Sequence, residues 1–479
     1  MSVNRAFGRG VAWMAAGNWL EQAVNFAVFV VLARLLGARD YGLLAMASVF
    51  IVLSESLVRE SLSEYLIAAR EAGARELNAT FWLLVGLGAG LGLSLWAIAP
   101  FAAQAYGEPE VATLIRALAP SVLIVALNAV PVAILRRDLA FRILAIRAVA
   151  GVILGGITGI GMALAGFGVW SFVGQWLVLI TTNAVLAWGA VSWRPGLKVR
   201  RADLALAATF GGQVLGLRAG ELAATQVPTL VIGATLGPEA TGLYAVAWRL
   251  VETLSFLIVT PLRQASQSAF AVLMRQGGDA GALLLDLGRL TGAVAIPFFA
   301  GLSVLAAPMI ALVFGAGWAG AAPVLTVLAA MGVYICIARV QVAFCLAAGR
   351  AATVALLAWG AALLMAGLIW IAARFGIVAV AGAVVAAHLL LWPFYFRAVA
   401  QIAGRPALGF AMCHLMPLAG AGIMALAVLA VVQLPGATHP LNMLAAAVPA
   451  GVVVYLGFAF AAMRDRFALF MRVVRGEGA

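Results

Sequence analysis

Six ionisable residues, Glu21, Arg218, Glu221, Arg249, Glu252 and Arg339, fall inside stretches otherwise apolar enough to cross a lipid bilayer. An ionised side chain at mid-membrane costs about 2.5 to 3.5 kcal/mol on insertion scales, so such groups persist where they face a watery cavity or one another. The chemistry open to them is to hold a charged or polar cargo, or to neutralise each other. Spacing sharpens the choice. Asn18, Glu21 and Asn25 follow at intervals of three and four, which stacks them on one helical face with Gln22 beside them. Arg218, Glu221 and Thr225 repeat the interval, Arg249 and Glu252 are three apart with Ser255 following, and Arg339 precedes Gln341. Two readings stand together: polar faces that line a cavity, or Arg218 with Glu221 and Arg249 with Glu252 as pairs that join helices.

The elements that carry these residues follow from composition. Of 479 residues, 65% are hydrophobic and 10% charged, and apolar runs of bilayer length recur along the chain. Runs such as 152–164 and 419–432 are apolar on every face, which excludes the alternating pattern of a membrane β-barrel. The fold class expected is an all-α polytopic membrane protein of about 14 spans between residues 10 and 462. The net charge of +12 is scattered through short loops instead of forming a patch, so nucleic acid is not an expected partner.

Those basic residues report topology. Arg5 and Arg9, Arg70 and Arg75, the group Arg136, Arg137, Arg142 and Arg147, and then Arg194, Lys198, Arg200 and Arg201 fall on one side of successive spans. The positive-inside rule makes that side cytoplasmic and places both termini there. Opposite loops, such as 37–41, 165–168, 237–241 and 315–320, are too short to hold an external domain. Cys336, Cys345 and Cys413 lie within spans, where small packed side chains are expected. His388, His414 and His439 lack metal-ligand spacing, and no glycine loop suits a nucleotide phosphate, so no metal or cofactor is expected.

A repeat organises the chain. Residues 36–47, LGARDYGLLAMA, align without a gap with residues 236–247, LGPEATGLYAVA, and at the same offset Glu21 meets Glu221. Phe167-Gly168-Val169 is echoed by Phe375-Gly376-Ile377. Each repeat then holds six spans, an even number, so two like-oriented lobes are related by an axis along the membrane normal, with two further helices trailing. The divisions read are a lobe at 1–193, a cytoplasmic linker at 194–204, a lobe at 205–400, and two C-terminal helices with a basic tail at 401–479. Pro228 and Pro261 are hinge candidates around the second charged region.

The second span departs from a lipid-facing helix, because residues 54–64 read SESLVRESLSE. Either its cytoplasmic half lines a wet vestibule, or the span ends near Val58 and an amphipathic helix follows at the interface. Charge counting does not announce an anion site: Arg218, Arg249 and Arg339 balance Glu21, Glu221 and Glu252, and the second span sets Arg59 against Glu55, Glu60 and Glu64.

The segments 36–42 (LGARDYG), 131–141 (PVAILRRDLAF), 168–175 (GVWSFVGQ), 236–250 (LGPEATGLYAVAWRL) and 314–325 (FGAGWAGAAPVL) resemble the bacterial polysaccharide transporter family. That family belongs to the multidrug/oligosaccharidyl-lipid/polysaccharide flippase superfamily. The resemblance implies a non-enzymatic flippase of the bacterial inner membrane that moves polyprenyl-diphosphate-linked oligosaccharide to the outer leaflet for O-antigen, capsule or exopolysaccharide. It implies that Arg218, Arg249, Arg339 and Arg59 hold the diphosphate, with Asn18 and Asn25 lining the same cavity. It also implies membrane lipids, a polymerase and glycosyltransferases as partners. Three alternatives stay open: a cation-coupled antiporter using Glu21, Glu221 or Glu252, a membrane-embedded glycan polymerase or ligase, and a scaffold for glycosyltransferases.

Overall fold

The computed structural model describes residues 3–68, 73–196, 201–433 and 439–462, and among them the side chains of 13, 17–59, 73, 75–196, 225–259, 266–267, 269–433 and 439–462. No strand occurs among the described residues. The first helices are α1 (Val3–Leu35), α2 (Ala38–Ala68), α3 (Ala74–Tyr106), α4 (Pro109–Leu118), α5 (Pro120–Arg137), α6 (Phe141–Leu164), α7 (Trp170–Ala190) and α8 (Arg201–Arg275). They are followed by α9 (Ala280–Val304), α10 (Ala306–Val313), α11 (Ala321–Ala347), α12 (Ala351–Ala372), α13 (Ile377–Ala403), α14 (Ala407–Met412), α15 (Leu415–Val432) and α16 (Pro440–Ala462).

Local sequence sets the breaks. Pro109 and Pro120 each open a helix, where a missing N–H costs nothing, so α4 and α5 form one bent span over Pro109–Arg137. Within α8 the non-helical residue is Gly237, at φ 80 and ψ −175, a backbone conformation that glycine adopts without steric penalty. Helix otherwise continues through Pro228 and Pro261, so the break in α8 falls at Gly237. α2 runs unbroken past Val58 for 31 residues, about 46 Å at 1.5 Å per residue. The polar stretch of residues 54–64 therefore continues the spanning helix, which is longer than the roughly 30 Å of hydrocarbon it crosses.

Twelve stretches among the described residues are long and apolar enough to span a membrane, against the fourteen expected. The difference falls on α1, whose first half has undescribed side chains, and on Thr225–Val259, which Gly237 divides.

Two compact units emerge, one from Met1–Leu222 with Ile232–Gly242, the other from Ala223–Val231 with Leu243–Ala479. In the first, α6 packs on α1 and α7, and α5 on α2 and α3. Between lipid-surrounded helices no hydrophobic force drives association, so small residues that permit close packing matter. Gly151, Gly155 and Gly159 form such a row on α6, facing Asn183, Leu179 and Gln175 of α7. In the second unit, α9 packs on α11 and α15, and α15 on α16.

Candidate functional site

The charged interior of the first unit starts at Glu55 on α2, which is 3% exposed. Its Oε1 accepts hydrogen bonds from Ser121 Oγ of α5 at 2.6 Å and from Trp176 Nε1 of α7 at 3.1 Å. Its Oε2 lies 3.5 Å from the Arg59 guanidinium one turn later. Two hydrogen-bond donors and one ion pair engage the buried carboxylate, and the two donors stitch α2, α5 and α7 together. Glu55 is thereby part of the framework.

Arg59 is exposed and lies within electrostatic range of Arg136 at the end of α5 and of Arg147 on α6. Arg147 also interacts with Arg136 and with Glu21 of α1. α1 and α6 approach because Gly17, one turn before Glu21, lies against the Cβ of Ala145. The Nε of Arg147 is buried without a hydrogen-bond partner among the described residues, as is Oδ1 of Asn183. Asn183 packs against Gly151, one turn from Arg147 on the same face of α6. Among the described residues three arginines thus share one region with two carboxylates. This can bind an anion, and the unsatisfied polar atoms require a partner such as water or cargo.

Two of these arginines come from the group 136–147, which the charge pattern assigns to a cytoplasmic loop. The signal that separates Arg147 is its position: α6 begins at Phe141, so Arg147 stands about 9 Å along the helix from its start. Of the other candidates, Asn18 is exposed and Asn25 half-buried, both on α1. Arg249 pairs with Glu252 at 3.7 Å along α8, with both side chains about half exposed at 46% and 47%. Arg339 is half-buried on α11, one turn from Cys336. Arg218 and Glu221 lie outside the residues whose side chains are described.

In the second unit α9, α10, α15 and α16 enclose an apolar groove of about 490 Å³. Pro297 and Leu302, Met309, Met424 and Val428, and Val448 and Leu456 represent its walls. α16 is fixed on α9 by Tyr455, whose hydroxyl donates to the carbonyl of Ala293 at 2.7 Å. Among the described residues that line the groove the charged one is Arg289, paired with Asp286 at 3.0 Å, with its Nε buried and unpartnered. The two helices expected to trail the repeats are therefore a wall of this groove.

Long apolar helices, internal charges and an apolar groove define a multi-pass membrane protein, and its fold is shared with transporters. A lipid II flippase, MurJ in an inward closed conformation, superposes with a TM-score of 0.79 at 14% identity over 94% of this chain and 99% of that one. An inward-facing multidrug resistance MATE family transporter of the MOP superfamily gives a TM-score of 0.60 at 17% identity, over 80% of this chain and 96% of that one. The chain belongs to the polysaccharide biosynthesis protein family, whose model matches residues 31–323. The succinoglycan biosynthesis transport protein ExoT of Rhizobium meliloti (strain 1021) is 24% identical over 67% of this chain and 65% of its own length, just under two thirds. The lipopolysaccharide biosynthesis protein WzxC of Escherichia coli (strain K12) is 22% identical over 69% of this chain and 68% of its own.

Proposed function

We propose that the protein is a flippase that carries polyprenyl-diphosphate-linked oligosaccharide from the cytoplasmic to the outer leaflet of a bacterial inner membrane by alternating access, without enzymatic activity. The observation that carries this reading is the grouping of Arg59, Arg136 and Arg147 in the first unit. Among the described side chains they outnumber Glu21 and Glu55, and Glu55 is already engaged by Ser121 and Trp176, while Glu60 and Glu64 of α2 lie outside the described side chains. An excess of positive charge favours a diphosphate over the cation that an antiporter would require. Arginine suits the role because its planar fork grips phosphate oxygens in pairs and stays charged when partly desolvated.

The apolar groove of the second unit suits an isoprenoid tail, and relatives named for succinoglycan transport and lipopolysaccharide biosynthesis support a glycan cargo. On this reading Arg218, Arg249 and Arg339 add further phosphate contacts, and Asn18 and Asn25 meet sugar hydroxyls. Glu21, Glu221 and Glu252 are the carboxylates available for ion coupling. Lobes at 1–193 and 205–400 rock about the membrane normal, the termini are cytoplasmic, glycosyltransferases act before transport and a polymerase after it. The test is reconstitution in liposomes carrying a diphosphate-linked oligosaccharide lipid on the inner leaflet. Protein-dependent appearance of lectin-accessible sugar outside is expected, and a rate equal to protein-free liposomes overturns the reading.

A further inference from the structure

Helices α3, α6, α8 and α11 end alike: a pair of backbone hydrogen bonds closes on Gly107, Gly166, Gly277 and Gly349, each at positive φ. The end of α5 has the same pair. The Leu139 N–H donates to the Arg136 carbonyl at 3.2 Å and the Ala140 N–H to the Leu135 carbonyl at 2.9 Å. Here, however, the glycine position holds Leu139, at φ 53, the one non-glycine at positive φ among the described residues. Glycine takes this conformation without steric penalty, whereas a Cβ is crowded in it. The leucine side chain gains little from the protein in return, because it is 57% exposed. An unfavourable backbone kept for an exposed apolar side chain points to a partner outside the chain.

The surroundings of Leu139 define that partner. With Ile143, Ile146 and Arg142 of α6 and Trp13 of α1 it lines a groove of about 540 Å³. Trp13 reaches the groove because α1 and α6 touch one turn further on, at Gly17 and Ala145. The Arg142 guanidinium lies over the Trp13 ring, 5.8 Å from its centroid. It has no ion pair among the described residues, and Asp138 in the same turn is taken by Arg137 at 3.3 Å. The groove thus joins apolar walls to an uncompensated cation. A small soluble anion would leave the walls uncovered, and an uncharged apolar molecule would leave the cation unmet. An anionic amphiphile meets both. The arginine pattern assigns this turn to the cytoplasmic side, where anionic phospholipid headgroups face the protein.

We propose that the groove binds one anionic glycerophospholipid of the cytoplasmic leaflet, its phosphate on Arg142 and an acyl chain across Leu139 and Trp13. The proposal rests on the membrane topology and is independent of the flippase reading. A guanidinium resting on an aromatic ring still offers N–H donors to phosphate oxygens. Leu139 then meets acyl chain instead of water, which gives its backbone conformation a reason.

The test titrates the full chain in detergent with dioctanoyl phosphatidylglycerol or dioctanoyl phosphatidylcholine and counts retained lipids by native mass spectrometry. The first phosphatidylglycerol is expected to bind about tenfold tighter than the first phosphatidylcholine. Arg142→Ala is expected to remove that preference and Arg142→Lys to keep part of it. Leu139→Gly relieves the backbone, so it is expected to melt no lower than the wild type while binding phosphatidylglycerol about fivefold more weakly. Equal retention of the two lipids by the wild type overturns the proposal, and that comparison needs no variant. Wild-type binding in Leu139→Gly, or an undiminished preference in Arg142→Ala, overturns it as well. A long-chain isoprenoid phosphate that displaces the phosphatidylglycerol at about a tenth of its concentration would assign the groove to a carrier lipid and overturn the phospholipid as its occupant.

Discussion

The interior of the first unit and the groove of the second are opposites. One gathers Arg136, Arg147, Glu21 and Glu55 with the exposed Arg59 at its edge, and the other is walled by Leu, Val, Met and Pro with Arg289, among the described residues, as its charged lining residue. A charged region inside a membrane protein stays folded when its carboxylates are engaged, as Glu55 is, while an apolar groove is stable in lipid without any such bracing. The contrast teaches that one membrane chain can hold two interiors of different design, one braced by hydrogen bonds to a buried carboxylate and one by apolar packing alone.

The largest expected effect breaks the charged half. Arg147→Ala should lower flipping about 100-fold in reconstituted liposomes, corresponding to about 3 kcal/mol for truncating one partner of a buried charge group, with Arg147→Lys recovering part of it. An unchanged rate would move the anion site elsewhere. On the apolar half, Val448→Asp puts a charge on the groove wall and should cut photo-crosslinking of a long-chain isoprenoid phosphate about tenfold, whereas Val448→Leu should leave it unchanged. Equal loss in both variants would point to shape instead of polarity.

Glu55→Leu tests whether that carboxylate is framework. It leaves Ser121 and Trp176 without their acceptor and should cost about 1 to 3 kcal/mol of stability, read as a lower melting temperature in detergent. Loss of flipping at an unchanged melting temperature would make Glu55 part of the transport site. The smallest effect lies outside the membrane at Asp279, which caps α9 by accepting from the Ala282 N–H at 2.8 Å and pairs with Arg405. The hydrogen bond from Arg405, followed by the cap, holds its carboxyl below the usual carboxylate range. A depressed native pKa stabilises above the unfolded value of about 3.9 and loses that contribution as pH falls through the native value. Melting of Asp279→Asn should therefore trail the wild type slightly at pH 7 and converge with it in acid; a gap that persists in acid would contradict the pairing.

Much of the architecture was legible in the residues alone. Apolar length and all-round hydropathy dictate membrane helices, the 36–47 and 236–247 segments reveal the repeat, and family motifs in order point to the polysaccharide biosynthesis protein family to which the chain belongs. Helical spacing also showed that Glu21 shares a polar face with Asn18 and Asn25, because that geometry is local.

Tertiary structure decided what meets that face. Arg136 and Arg147 read as charges at the cytoplasmic side in a linear reading, and the fold brings Arg136 within electrostatic range of Arg59, and Arg147 within range of Arg59 and Glu21. Arg249 and Glu252, equally legible as three apart, pair with each other at 3.7 Å. The groove of the second unit depends on Tyr455 reaching the Ala293 carbonyl across 162 residues of sequence. Periodicity fixes which side of a helix is polar, small or apolar. Only close packing between distant segments, where a single Cβ is too much, selects the partner for that side.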